Sequence, residues 1–229
     1  MDFSYELISP FPTLDRANKL AIVMRETVSY FRRHGVRVVN MSWGFSPRGV
    51  EESLEQNNAG GTLAERKTLA RQIFDIFSIL LRSAMADAPE ILFISAAGNS
   101  DSDVRFYEDI PSSYDLPNAM SIGAVDIAGD EAAFTSFGKV DLYANGYEVE
   151  SVVPGGDQQK WSGTSMASPQ TVNLAAKLLA VYPKLTTGQL RALITDGCDP
   201  KVITENRKIF LLNEKKSFKL ARKRYSASK

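Results

Sequence analysis

The sequence has one cysteine, one histidine, no excess of either charge and no long apolar run. Each shortage excludes something. A lone Cys198 cannot close an intrachain disulfide or build a multi-cysteine metal cluster. Between Gly197 and Asp199-Pro200 it reads as a structural residue at a helix-end turn. With Lys and Arg totalling 27 and Asp and Glu totalling 27, no net field draws the chain onto nucleic acid or an anionic membrane, so neither is expected as a partner. No stretch reaches the ~18 apolar residues of a bilayer span. Met1-Asp2-Phe3-Ser4 lacks the basic start of a signal peptide. No His, Cys or carboxylate group has metal-ligand spacing, and no cofactor is identified.

What remains is an ordinary globular composition, 44% apolar over 229 residues, enough for one domain with a sizeable core. From Leu14 to Arg33 apolar residues recur at Ala17, Leu20, Ala21, Met24, Val28 and Phe31, a helical stripe that Thr13 can cap and Gly35 can close. A strand follows over 36–42. The polar stretch between Gly44 and Gly61 reads as a surface loop. Thr62-Leu63-Ala64-Glu65 has capping-box spacing and opens a long helix that stops before Pro89. A second apolar strand occupies 91–96. This alternation is that of parallel βαβ units. Further strands are expected at 119–125, 140–143, 150–153 and 209–212. Leu174 to Tyr182 is apolar on nearly every side, which predicts a buried helix, and Thr186 opens another that ends near Gly197. The expected fold is therefore α/β, three-layer αβα with a mostly parallel sheet. Residues 1–213 form the domain, and 214–229 a basic C-terminal tail expected to be flexible.

Three strand ends and one helix start could carry chemistry. Ser165 lies in Gly163-Thr164-Ser165-Met166-Ala167-Ser168-Pro169, at the first turn of the buried helix. Unpaired N–H groups and the positive end of the helix dipole stand there, beside room for a substrate. The same run of hydroxyls fits simple helix capping equally well. Asn99 follows the strand ending Ser95-Ala96-Ala97-Gly98, at the carboxyl edge where open parallel sheets bind ligands, although a plain Gly-Asn turn would look alike. Ser42-Trp43-Gly44 has the same placement, with Trp43 by itself reading as a core residue.

Together, Val39-Asn40-Met41-Ser42-Trp43-Gly44, Ala96-Ala97-Gly98-Asn99 and Gly163-Thr164-Ser165-Met166-Ala167-Ser168-Pro169 resemble the subtilisin-like serine proteases, or subtilases (peptidase S8 family). The last motif is the most specific. Ile110-Pro111, Ser121 to Asp126 and Phe134 to Gly138 add weaker likeness, and the resemblance covers roughly 17–196. It implies a subtilisin-like fold and hydrolysis of a peptide or protein substrate through an acyl-enzyme on Ser165. Asn99 would hold the oxyanion together with the backbone N–H of Ser165. Ser42, Trp43 and Gly44 with Ala96, Ala97 and Gly98 would wall the substrate cleft, and Gly163 and Thr164 would border it. The resemblance also allows structural calcium, with no ligand set matched here, and implies secretion or a periplasmic location. Gln170, and Asn145 in Ala144-Asn145-Gly146, depart from the family pattern.

Subtilases order their triad Asp, His, Ser along the chain, and neither an Asp-Ser/Thr-Gly nor a His-Gly-Thr-His motif occurs here. His34 sits at a helix C-terminus that feeds the amino end of a strand, opposite the proposed site, and reads as a capping residue. The chain is thus expected to be the C-terminal part of a catalytic domain whose N-terminal part, its natural partner, is missing, and to be inactive alone. A pseudoprotease serving as a peptide-binding or interaction module is the alternative. An α/β-hydrolase is disfavoured, since Ala167 stands where its nucleophile elbow needs glycine and no histidine follows Ser165.

Overall fold

The structure, a computed structural model, describes residues 12–225. The expectations for Met1 to Ser4 and for the last residues of the basic tail lie outside them. Chain order gives α1 (Leu14–Arg33), β1 (Val38–Met41), α2 (Pro47–Gln56), α3 (Leu63–Ala86), β2 (Leu92–Ala96), β3 (Ala119–Val125) and β4 (Leu142–Asn145). These are followed by β5 (Val149–Val152), β6 (Gln158–Trp161), α4 (Thr164–Val181), α5 (Thr187–Asp196), β7 (Asp199–Thr204), β8 (Arg207–Leu211) and α6 (Glu214–Tyr225).

The main sheet runs β1-β2-β3-β4-β8-β7, parallel throughout except for the β7–β8 hairpin. Alternation along the central strands divides the core in two. Leu92, Ile94, Met120, Ile122 and Leu142 pack against Ala167, Leu174 and Leu178 of α4 and Leu190 of α5. Phe93 and Ala119 point the other way, onto Ala21 and Val28 of α1 and Phe74, Phe77 and Leu81 of α3. Both faces of the sheet are therefore covered, as a parallel sheet requires, and the three-layer αβα architecture is the one expected.

Helix starts follow local chemistry. The Thr13, Thr62 and Thr186 hydroxyls each accept the N–H three residues on, with Glu65 and Gln189 completing capping boxes at the latter two. Gly35 closes α1 at φ +68°, in the left-handed region.

Three expectations need correcting. The stretch between Gly44 and Gly61 is not all loop. Ser46 caps a helix with Pro47 in its first turn, and Val50 and Leu54, four residues apart, bury against Ala17, Ala70 and Ile73. The tail beyond 213 is helical through Tyr225 rather than flexible. Ser217 and Ala221 are buried, and three of its charged side chains are held by the domain: Lys216 by Asp199, Glu214 by Lys177 at 2.9 Å, and Arg224 by Asp196 at 2.8 Å. Strands β6 and β7 complete two antiparallel hairpins of which only the β5 and β8 halves were expected.

Burial sets an alkaline limit to this fold. The Tyr114 phenol donates to the Ser78 carbonyl at 2.8 Å, and desolvation pushes both it and Tyr143 up to about 12. An unfolded tyrosine ionises near ~10. Folded-state values above the unfolded one favour the protonated phenols, so the stability they supply is fully present below pH ~10 and lost as pH rises through about 12. Thermal melts across that window should show falling stability, and Tyr114→Phe should flatten the fall. An unchanged slope in that variant would show that Tyr114 is not responsible.

Candidate active site

Strands β1 and β2 end beside each other at the carboxyl edge of the sheet, and the amino end of α4 comes down onto both. Two reciprocal bonds tie the serine to the first strand end. The Ser42 hydroxyl donates to the Ser165 carbonyl at 2.9 Å, and the Ser165 hydroxyl donates to the Ser42 carbonyl at 3.3 Å. Beneath them Ser168 donates to Asn40 Oδ1 at 2.8 Å and to the Ile94 carbonyl at 3.2 Å, while Asn40 Nδ2 donates to Ser42 Oγ at 2.9 Å. Ser168 lies on the same face of the helix as Ser165 and locks α4 to β1 and β2 together.

Asn99 is oriented by Thr164. Its Oδ1 accepts the Thr164 N–H at 2.8 Å and the Thr164 hydroxyl at 2.9 Å, and that hydroxyl in turn accepts the Gly98 N–H at 3.1 Å. With the oxygen engaged on the helix, Nδ2 is directed away from those donors and has no acceptor among the described residues. Gly163 leaves the room this requires, because a Cβ there would lie 3.3 Å from Asn99 Nδ2. In the first turn of α4 the Thr164 N–H is taken by Asn99 and the Met166 N–H by the Gly163 carbonyl at 3.0 Å. The Ser165 N–H has no acceptor among the described residues. Two open donors, one side-chain and one backbone, thus stand beside one hydroxyl.

The residues expected to wall a cleft do not all have the same freedom. Gly98 (φ +117°) donates its N–H to Thr164 and accepts from Ser136 N–H at 3.0 Å, and Ala97 N–H bonds the Ile122 carbonyl at 2.9 Å. Trp43 is half-buried, its ring 6.1 Å from that of Phe77. Ala96 is a buried strand residue. The Gln170 side chain donates to the Asn145 carbonyl at 2.5 Å, so the two departures from the family pattern touch each other.

His34 caps α1, accepting nothing from the site, and its ring lies 4.0 Å from that of Tyr30. It precedes β1 whereas Ser42 follows it, so the length of the strand, at ~3.3 Å per residue, separates the imidazole from Ser165. Cys198 is buried, its thiol donating to the Ile194 carbonyl at 3.3 Å and pushed up to about 12 by desolvation. Both therefore sit where a structural role was expected. Among the described residues no three His, Cys, Asp or Glu side chains are gathered so as to hold a metal ion. No helix among them is long and apolar enough to cross a membrane.

Asn40 and Ser168 were not singled out from the sequence. A polar Asn inside the apolar run Val38-Val39-Asn40-Met41 was the available signal, since a strand residue of that kind needs a partner.

Comparison with known proteins adds a family to this geometry. The profile of the subtilase family, Peptidase_S8, matches residues 9–212. A subtilisin of Bacillus pumilus is 36% identical over 107 residues, covering 44% of this chain and 37% of its own length. Alkaline elastase YaB of Bacillus sp. (strain YaB) is 31% identical over 162 residues, 69% of this chain and 40% of its own. The chain spans less than half the length of these relatives. Among solved structures, a cold adapted subtilisin-like serine proteinase superposes with a TM-score of 0.58 at 22% identity, over 83% of this chain and 60% of its own. The patellamide maturation protease PatA gives 0.64 at 22%, over 89% and 69%. At that identity the two structures speak for the fold alone.

Proposed function

The chain belongs to the subtilase family, and we propose that it is the nucleophile-bearing part of a serine endopeptidase, inactive until a base is brought to Ser165. The observation that carries this is the pairing of the Ser165 hydroxyl with two open donors, its own N–H and Asn99 Nδ2. Ser165 attacks the peptide carbonyl and becomes acylated, and the two N–H groups receive the oxyanion. Thr164 acts through Asn99 by holding its oxygen. Ala97 and Gly98 direct their N–H groups into the fold, so they flank the substrate while backbone pairing falls to the Ser42-Trp43-Gly44 side. Gly163 keeps the approach to Asn99 clear.

The proton-handling half comes from outside these residues in this reading. His34 is on the wrong side of the sheet, and a serine without a base keeps its proton at neutral pH. Among the described residues strand β1 pairs on one edge, with β2, and has no partner on the other, and an apolar hollow of about 260 Å³ lined by Met24, Val28, Val39 and Trp43 borders the strand. A segment carrying the base and its orienting carboxylate would dock along that edge as an added strand. The family's other members suggest secretion, which this chain would share. Fluorophosphonate labelling read at Ser165 tests the proposal, and labelling of the isolated chain at the rate of a complete protease would overturn the dormant state.

A further inference from the structure

Asp109 is half-buried and has no part in the chemistry described so far. It immediately precedes Ile110, which the Phe45–Ile110 bridge holds against the cleft wall, with Phe45 N–H to Ile110 carbonyl at 3.0 Å and Ile110 N–H to Phe45 carbonyl at 2.9 Å. Two cavities meet at it. The larger, about 720 Å³, lies between Ser46, which continues the wall begun by Ser42-Trp43-Gly44, and Ser100, the residue after Asn99. The smaller, about 310 Å³, borders Gly44 and shares Ser46, Gly49 and Asp109 with the first. The larger cavity therefore opens between the far ends of both cleft walls, with Asp109 in its lining.

Its charge is one-sided. Among the described residues Glu52, Asp101, Asp103 and Asp109 line the larger cavity against a single cation, Arg48, which Glu52 binds at 2.8 Å. That leaves three carboxylates with no cationic group within ion-pair distance among the described residues. Asp101 and Asp103 are at the outer loop, where Asp103 accepts the Arg105 N–H at 2.9 Å. Asp101 is exposed, and Asp103, half-buried like Asp109, already has its Oδ1 taken by that backbone N–H. Desolvation raises the Asp109 carboxyl above the usual range while the Ser46 hydroxyl lowers it, a balance that a bound cation would tip toward the ionised form. Arg16 lines the smaller cavity with Asp109.

We propose that Asp109 makes this site select substrates with a cationic side chain, lysine or arginine, on the residue whose carbonyl faces Ser165. The proposal rests on the assignment of Ser165 and Asn99 as nucleophile and oxyanion donor, because that assignment fixes which substrate residue lies between the two walls. A guanidinium or ammonium group reaching into the cavity meets a desolvated carboxylate, where a charge-assisted hydrogen bond is strongest. An apolar side chain of the same length would leave that carboxylate unpaired.

Benzamidine, a rigid amidinium, and benzamide, its neutral near-isostere, separate charge from shape without requiring catalysis. Titrated into the ¹⁵N-labelled chain, benzamidine is expected to shift the amide resonances of Ser46, Ser100 and Asp109 and to bind at least roughly tenfold more tightly than benzamide. Asp109→Asn is expected to remove that margin, whereas Asp101→Asn and Asp103→Asn should each retain most of it. Equal binding of the two probes, an undiminished margin in Asp109→Asn, or shifts confined to another surface would overturn the proposal. Should Asp109→Asn fail to fold, the comparison of the two probes on the unaltered chain decides. Because no acylation is read, this experiment can fail while Ser165 labelling succeeds, and the reverse.

Discussion

Ser165→Ala, introduced into the chain once it is joined with a segment supplying a base and its carboxylate, is expected to lower kcat for peptide hydrolysis by about 10⁶-fold. The scale is that measured on subtilisin, where removing the serine or the histidine alone costs about as much as removing the whole triad. The physical reason is that the three groups work as one device, so the first loss takes nearly all of it. In this chain the hydroxyl already sits at the start of a buried helix, held 3.3 Å from the Ser42 carbonyl, and needs only a proton acceptor to become a nucleophile. Hydrolysis of a chromogenic peptide by the joined protein, with and without the substitution, measures it. A loss of less than about a hundredfold would assign the nucleophile elsewhere.

Asn99→Ala in the same assembly is expected to lower kcat by about 10²–10³ with little change in KM, the effect of removing one oxyanion donor from subtilisin. The split between the constants follows from when the proposed bond would be made, since Nδ2 would meet the charged oxygen of the tetrahedral intermediate and only weakly the ground-state carbonyl. Thr164→Val should reproduce part of the loss, because it removes the hydroxyl that accepts from Gly98 and donates to Asn99 Oδ1 while leaving the Asn99 amide in place. A rise in KM at constant kcat would instead make Asn99 a binding residue.

The parts of this fold that could be read from sequence are those written in local chemistry. Thr62 with Glu65 and Thr186 with Gln189 announce their helices because capping is a bond between residues three apart. The apolar run at 91–96 and the placement of Asn99 at its end follow from the same kind of signal. Ser46-Pro47 carried such a signal too, and the glycines around it masked the Val50 and Leu54 pair that buries the helix. Strand β6 could not be read this way, since Gln158 to Trp161 are all exposed and pair with β5 without burying anything. The basic stretch after Glu214 was misread because its composition is that of a solvated tail. Ser217 and Ala221, one turn apart, are buried, and Phe218, Leu220 and Tyr225 pack beside them among the many charged residues.

The site shows the same division. Ser165 and Asn99 stand out because family motifs surround them, whereas the bonds that place them are long-range. Ser168 to Asn40 and Ser42 to Ser165 join segments that no spacing rule connects. Asp109 gives no motif at all, and its significance arises only when the Phe45–Ile110 bridge brings it under the cleft wall.

The most direct test of the proposal that Ser165 and its two donors await a base is fluorophosphonate labelling of Ser165, followed by intact mass and peptide mapping, in the isolated chain and in the chain joined with the base-bearing segment. The isolated chain is predicted to label slower by several orders of magnitude than the joined protein, with all fast labelling on Ser165 and lost in Ser165→Ala. Equal, rapid labelling of both would contradict the account, because it would mean that these 229 residues activate the serine themselves.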